Sequence, residues 1–130
     1  MSVMNAIGHG IDLVEVSRIE RLAREHGERF FERCFSQREL EYARAGARTH
    51  EHLAARFAAK EAVLKALGTG WSQGVGWTDV EVERDEFGRP AIVLHGKARE
   101  IAAAGGITSW LLSLSHTQTH AIASAIAFGP

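Results

Sequence analysis

The segment of residues 56–70, R-F-A-A-K-E-A-V-L-K-A-L-G-T-G, constrains this chain more than any other. Its periodicity is helical, yet Lys60 falls inside the apolar stripe. At ~100° per residue, Leu53, Phe57, Lys60, Leu64 and Leu67 share one narrow face. An ammonium between Phe57 and Leu64 must find a partner, because an unpaired buried charge is strongly unfavourable. Glu61 sits at the edge of the stripe and Lys65 follows it by one turn. The neighbouring surface is Ala54 and Ala58, so a carboxylate and an ammonium lie beside open space. A helix selected only for packing has no need of that arrangement.

At 130 residues the chain fits one domain, residues 1–130, with a core of its own. A formal net charge of −1 argues against a bulk electrostatic nucleic-acid binder. The local pattern is less even. Arg18, Arg21, Arg24, Arg29 and Arg33 crowd the first third, while acidic residues dominate 79–86, which suggests a basic docking face. The lone cysteine, Cys34, allows no internal disulfide and no cysteine-based zinc site. No signal-peptide pattern and no run near ~20 apolar residues is present, so a soluble cytoplasmic protein without a membrane partner is the expectation.

The order of elements reads as α+β. A strand is expected over 7–12, then a helix over 18–26 capped by Ser17, with Ile19, Leu22 and Ala23 inward and the arginines outward. Phe30, Phe31 and Phe35 read as an aromatic patch between helices. Ser36 and Glu39 have capping-box spacing for a helix to about Ala45. The long helix runs over 50–67 and stops at Gly68. Beyond it, acidic residues alternate with Val over 79–83, predicting a half-exposed strand that pairs with 90–95 across a turn at 85–88. A short helix over 96–104 and two strands, 109–116 and 120–128, complete the chain. Ala121, Ala123, Ala125 and Ala127 give the last strand a face suited to close packing on a helix or another subunit. Packing or subunit contact is the reading for Trp71, Trp77 and Trp110.

Asp12 alone reads as a turn or cap residue, and Glu61 alone as half of an i,i+4 pair with Lys65 worth a few tenths of a kcal/mol. Together they form a strand-end carboxylate and a helix carboxylate beside an alanine floor. Magnesium takes one or two carboxylates and fills its shell with water and substrate phosphates. Arg48, Arg56, Lys60 and Lys65 add phosphate-binding chemistry along the same segment. For Arg48 and Arg56 a solvated helix face is an equal alternative. His116 shares a strand face with Trp110, Leu112 and Leu114, as a structural residue or a polar contact to substrate. The glycines at 68, 70, 74 and 76 form no P-loop, since no G-K-[ST] follows.

Three segments then match one family. They are residues 8–20 (G-H-G-I-D-L-V-E-V-S-R-I-E), residues 56–70, and residues 112–123 (L-S-L-S-H-T-Q-T-H-A-I-A). In order and separation they resemble the holo-acyl-carrier-protein synthases, the small bacterial type of 4′-phosphopantetheinyl transferase. One variation is Phe57, where many relatives carry Trp. The resemblance implies that family's fold: an N-terminal strand and helices followed by an antiparallel sheet wrapped on a long central helix. It implies transfer of phosphopantetheine from coenzyme A to a serine of apo acyl carrier protein, with release of adenosine 3′,5′-bisphosphate.

By the same resemblance Asp12 and Glu61 bind Mg²⁺, and Glu61 and Lys65 are catalytic. Arg48, Arg56, Lys60, Lys65, Gly68 and His116 contact coenzyme A. Arg18 docks the acidic recognition helix of the carrier protein, with Arg21 and Arg24 added by helical proximity. A homotrimer with clefts between subunits is implied too. The base that takes the serine proton is left open between Glu61 and a metal-bound water it orients. Two other classes stand beside this reading: a non-catalytic binding module, and a metal-dependent phosphohydrolase acting on a nucleotide. Intact Asp12, Glu61 and Lys65 weigh against the first, and sparse carboxylate and His clustering against the second.

Overall fold

The structure, a computed structural model, describes residues 3–70 and 72–130. Strand β1 (Asn5–Glu15) runs directly into helix α1 (Val16–His26), followed by α2 (Glu28–Cys34), α3 (Gln37–Arg44) and α4 (Thr49–Leu67). A 3-10 turn at Trp77–Asp79 leads into the hairpin β2 (Val80–Arg84) and β3 (Pro90–Leu94). Helix α5 (Gly96–Ala104) then precedes β4 (Ser109–His116) and β5 (His120–Gly129). The class is α+β, as expected.

Two antiparallel sheets form, one of order β1-β5-β4 and one of β2 and β3. β5 is central and sets the register of the larger sheet: Asp12 pairs with Ala123, and His116 with Ala121. Its alanines at 121, 123, 125 and 127 are buried and face α4. A strand of methyl groups lets a helix lie close. Two glycines of β1 bring that strand closer still. A Cβ on Gly10 would stand 1.8 Å from the Ala62 carbonyl oxygen, and one on Gly8 2.5 Å from that of Ala66. Only hydrogen fits there.

α4 is wrapped on nearly every side, with Leu53 through Lys60 and Ala62 through Leu64 buried. The stripe read from periodicity is therefore too narrow; this is the central helix of the domain. It ends at Gly68 in the left-handed region (φ 79°), whose N–H donates to Leu64 and Lys65 carbonyls. The capping box of α3 is present, with Ser36 Oγ accepting from Glu39 N and Glu39 Oε1 from Ser36 N.

Several expectations are corrected. Ser17 does not cap α1; Glu15 holds that position without a side-chain bond, and Val16 N donates to Thr119 O at 2.9 Å instead. The chain passes from strand to helix with no loop to cap. The aromatic patch contains a helix, α2, with Phe30 and Cys34 buried one turn apart. β2 is not half-exposed: Val80, Glu81 and Val82 are all buried, because α3 and α4 cover one face and His95 meets Glu81 at 3.0 Å on the other. Trp77 stacks on Phe57, Trp110 packs half-buried against the core, and Trp71 lies outside the described residues.

Candidate active site

Local sequence dictates where the carboxylates meet. Gly8 lies at the level of Ala66 and Gly10 at Ala62, so two residues along β1 descend about one turn of α4. The next residue on that face is Asp12, which arrives level with the turn that carries Glu61. Lys65 Nζ donates to Asp12 Oδ1 at 3.0 Å and to the Ile11 carbonyl at 2.8 Å. Glu61 is half-buried one turn before Lys65, on the same side of α4. Strand and helix thus bring Asp12 and Lys65 together, with Glu61 one turn before Lys65 on α4.

This donor set fits a hard divalent cation. The Asp12 side chain is 17% exposed, enough to keep contact with water. Among the described residues no group of three or more His, Cys, Asp or Glu could hold a metal. Asp12 and Glu61 could offer two carboxylates to such an ion, which would leave its remaining positions to water and phosphate. That suits Mg²⁺ and not a closed zinc site.

A second group gathers at the other end of α4. His116 Nδ1 lies 3.1 Å from Glu51 Oε1, and the His116 ring meets His52 edge-on at 5.3 Å. Arg48 is exposed at the start of α4, where it lines a cavity of about 290 Å³ with Glu51 and Gln118. From Glu51 to Glu61 the helix rises about 15 Å. The expected coenzyme A contacts therefore fall into two separate groups within one chain.

Of three further expected contacts, Lys60 and Arg56 are buried, while Gly68 is exposed. Lys60 is fully buried, its Nζ bonded to Glu39 Oε1 at 2.8 Å, to Trp77 O at 3.0 Å and to Val80 O. The demand for a partner is met inside the core, and Lys60 contacts no cofactor there. Arg56 is 1% exposed, its guanidinium 4.1 Å from the Tyr42 ring centroid, with Nη1 on the His52 carbonyl and Nε unpaired. Burial and the charge of Arg84 push its pKa down. Gly68 spends its N–H on the helix cap.

The expected basic face lies on α1 and α2. Arg18 lies 5.1 Å from the Phe57 ring centroid and lines a cavity of about 640 Å³ with Phe30, Phe57 and Trp77. Arg29 and Arg33 of α2 line it too, whereas Arg21 and Arg24 are exposed on α1 outside its lining.

The sequence profile of the 4′-phosphopantetheinyl transferase superfamily matches residues 8–124. The chain belongs to this superfamily. It is 48% identical over 120 residues to the holo-[acyl-carrier-protein] synthase of Koribacter versatilis, covering 92% of this chain and 96% of that one. It is 45% identical to the synthase of Geobacter sulfurreducens, covering 95% and 98%. Among solved structures, the synthase of Neisseria meningitidis superposes with a TM-score of 0.85 at 32% identity, covering 95% and 98%. The Helicobacter pylori synthase in complex with coenzyme A superposes at 0.81 with 29% identity, covering 92% and 98%. No helix among the described residues is long and apolar enough to cross a membrane.

Proposed function

We propose that this chain transfers the 4′-phosphopantetheine arm of coenzyme A to a serine of apo acyl carrier protein, releasing adenosine 3′,5′-bisphosphate. One observation carries the reading: Asp12 and Lys65 meet at 3.0 Å on the helix face that also bears Glu61. The names of the relatives and the coenzyme A complex among them support the substrate.

Asp12 and Glu61 would hold Mg²⁺, which when bound supplies positive charge to the pyrophosphate oxygens of coenzyme A. Lys65, with two donors on β1, has a third N–H for the phosphate and offsets charge developing on the leaving bisphosphate. In the transfer the serine oxygen bonds to phosphorus, the bond from phosphorus to the bisphosphate oxygen breaks, and the hydroxyl proton leaves. Glu61 accepts that proton or orients the water that does.

Arg48 and His116 bind phosphate oxygens at the far end of the coenzyme, from the second group on α4. Their separation from Asp12 supports a cleft walled by two subunits. A homotrimer is the assembly in this reading. The outer face of the larger sheet supports it, since Ile11, Leu13 and Leu111 are 51%, 63% and 60% exposed there. Arg18, Arg29 and Arg33 around their aromatic cavity receive the acidic carrier protein, with Arg21 and Arg24 steering from α1. The reading makes the enzyme cytoplasmic and assigns it to fatty-acid biosynthesis.

The test is intact mass. With Mg²⁺, coenzyme A and apo carrier protein, the carrier should gain the mass of one phosphopantetheine. A folded sample that leaves several carriers unmodified would refute the reading. Release of adenosine bisphosphate without carrier protein would favour a hydrolase.

A further inference from the structure

We infer that Lys60 is a positioning residue: through the Trp77 carbonyl it holds the Trp77 ring against Phe57, and so shapes the wall that receives the carrier protein. The inference rests on the carrier-docking role proposed above. Lys60 Nζ has three donors, and the acceptors Glu39 Oε1, Trp77 O and Val80 O take all of them. Glu39 is equally committed, with Oε1 also accepting from Ser36 N at 2.9 Å and Oε2 from Val82 N at 3.0 Å. This closed hub joins the first turn of α3, the middle of α4, the 3-10 turn and β2.

A hub that served stability alone could be exchanged for apolar packing. What sets this one apart is its anchor. Phe57 and Lys60 lie one turn apart on α4 and grip the two ends of the same residue. Lys60 takes the Trp77 backbone, and Phe57 stacks on its indole with centroids 4.5 Å apart and planes at 27°. Arg18 lies against the same Phe57 ring at 5.1 Å, and all three side chains line the cavity of about 640 Å³. Before Trp77 the described chain turns repeatedly, with positive φ at Gly68, Gly70, Gln73 and Gly74. Trp77 opens the 3-10 turn, and the buried ammonium ties its carbonyl, and with it the base of the indole, to α4.

Trp77→Ala tests this cleanly, because it keeps the carbonyl that Lys60 needs and removes only the ring. In steady-state transfer the KM for carrier protein should rise about threefold to tenfold, with kcat and the KM for coenzyme A unchanged. Trp77→Phe, which can still stack, should restore the KM. Lys60→Met should show the same KM split together with a lower thermal midpoint. An unchanged carrier KM in Trp77→Ala overturns the inference, as does a Lys60→Met enzyme that loses midpoint alone. If Lys60→Met does not fold, Lys60→Gln takes its place, with the same rise in carrier KM expected and an unchanged carrier KM overturning the inference. A wild-type enzyme that transfers nothing overturns the functional reading and this inference with it. Normal wild-type transfer with no KM change in the variants overturns only the inference.

Discussion

Lys60 and Lys65 stand on the same helix, each paired with a carboxylate from elsewhere in the chain, and they do opposite things. Lys60 and Glu39 are both 0% exposed, and every donor of the ammonium is taken. Burial pushes the Lys60 pKa down, and the charge and hydrogen bond of Glu39 act against that shift. Lys65 is 54% exposed, and Asp12 beside it 17%. Its charge costs little to keep and stays open to an incoming phosphate. The same kinds of charge thus make a closed structural pair where water is excluded and an accessible pair where it is not. Closure, not composition, separates the two.

The contrast can be broken at either end. Lys60→Met strands the Glu39 carboxylate in the core and should cost about 3–5 kcal/mol of stability, read by denaturant or thermal unfolding. Lys65→Met should cost within about 1 kcal/mol, since the pair is exposed. If the two variants lose similar stability, the distinction drawn here fails. Activity should reverse the order. Glu61→Ala, Asp12→Ala and Lys65→Met should lower kcat on the order of a hundredfold to a thousandfold with the fold intact.

Gly10→Ala sharpens the same point through the backbone. The added methyl meets the Ala62 carbonyl oxygen and must push β1 off α4. About 1–3 kcal/mol of stability should be lost. Turnover should fall by more than the unfolded fraction explains, because Asp12 moves away from Lys65. Activity that tracks the folded fraction alone would show that the crossing need not be tight.

The smallest expected effect concerns pH. Burial, then the charges of His116, Arg56 and Arg84, lower the His52 pKa against the opposing pull of Glu51. Between that lowered value and the unfolded value of about 6.5, the unfolded chain binds more protons. The His52 contribution is therefore complete above about pH 6.5 and is lost as pH falls through the folded pKa. His52→Phe should flatten the stability curve in that window; an unaltered slope would remove His52 from the account.

What was legible in the sequence is what neighbours along the chain decide. Gly68 ends α4, Ser36 with Glu39 opens α3, and the strand and helix limits at Ser109, His116, Gly96 and Ala104 agree with the reading. The demand that Lys60 find a partner was legible as well. Its answer was not, because Glu39 reaches it only after α3 folds back on α4. Arg56 looked available for phosphate on the same ground; only the packing of Tyr42 over it shows otherwise. α2 was hidden because a seven-residue helix bearing two adjacent phenylalanines looks like a patch. Asp12, Glu61 and Lys65 were singled out from residue type and helical spacing, and the family motif then pointed to the same three. The meeting of Asp12 with Lys65 follows from Gly8 and Gly10, whose missing side chains set the approach of β1 to α4.

The central claim is that Asp12 and Glu61 share one divalent ion at the pyrophosphate of coenzyme A. Calorimetric titration of Mg²⁺ into the protein with coenzyme A present tests it most directly. The account predicts a single ion per active site, with binding lost in both Asp12→Asn and Glu61→Gln while each variant keeps its thermal midpoint. Undiminished Mg²⁺ binding in either folded variant would contradict it.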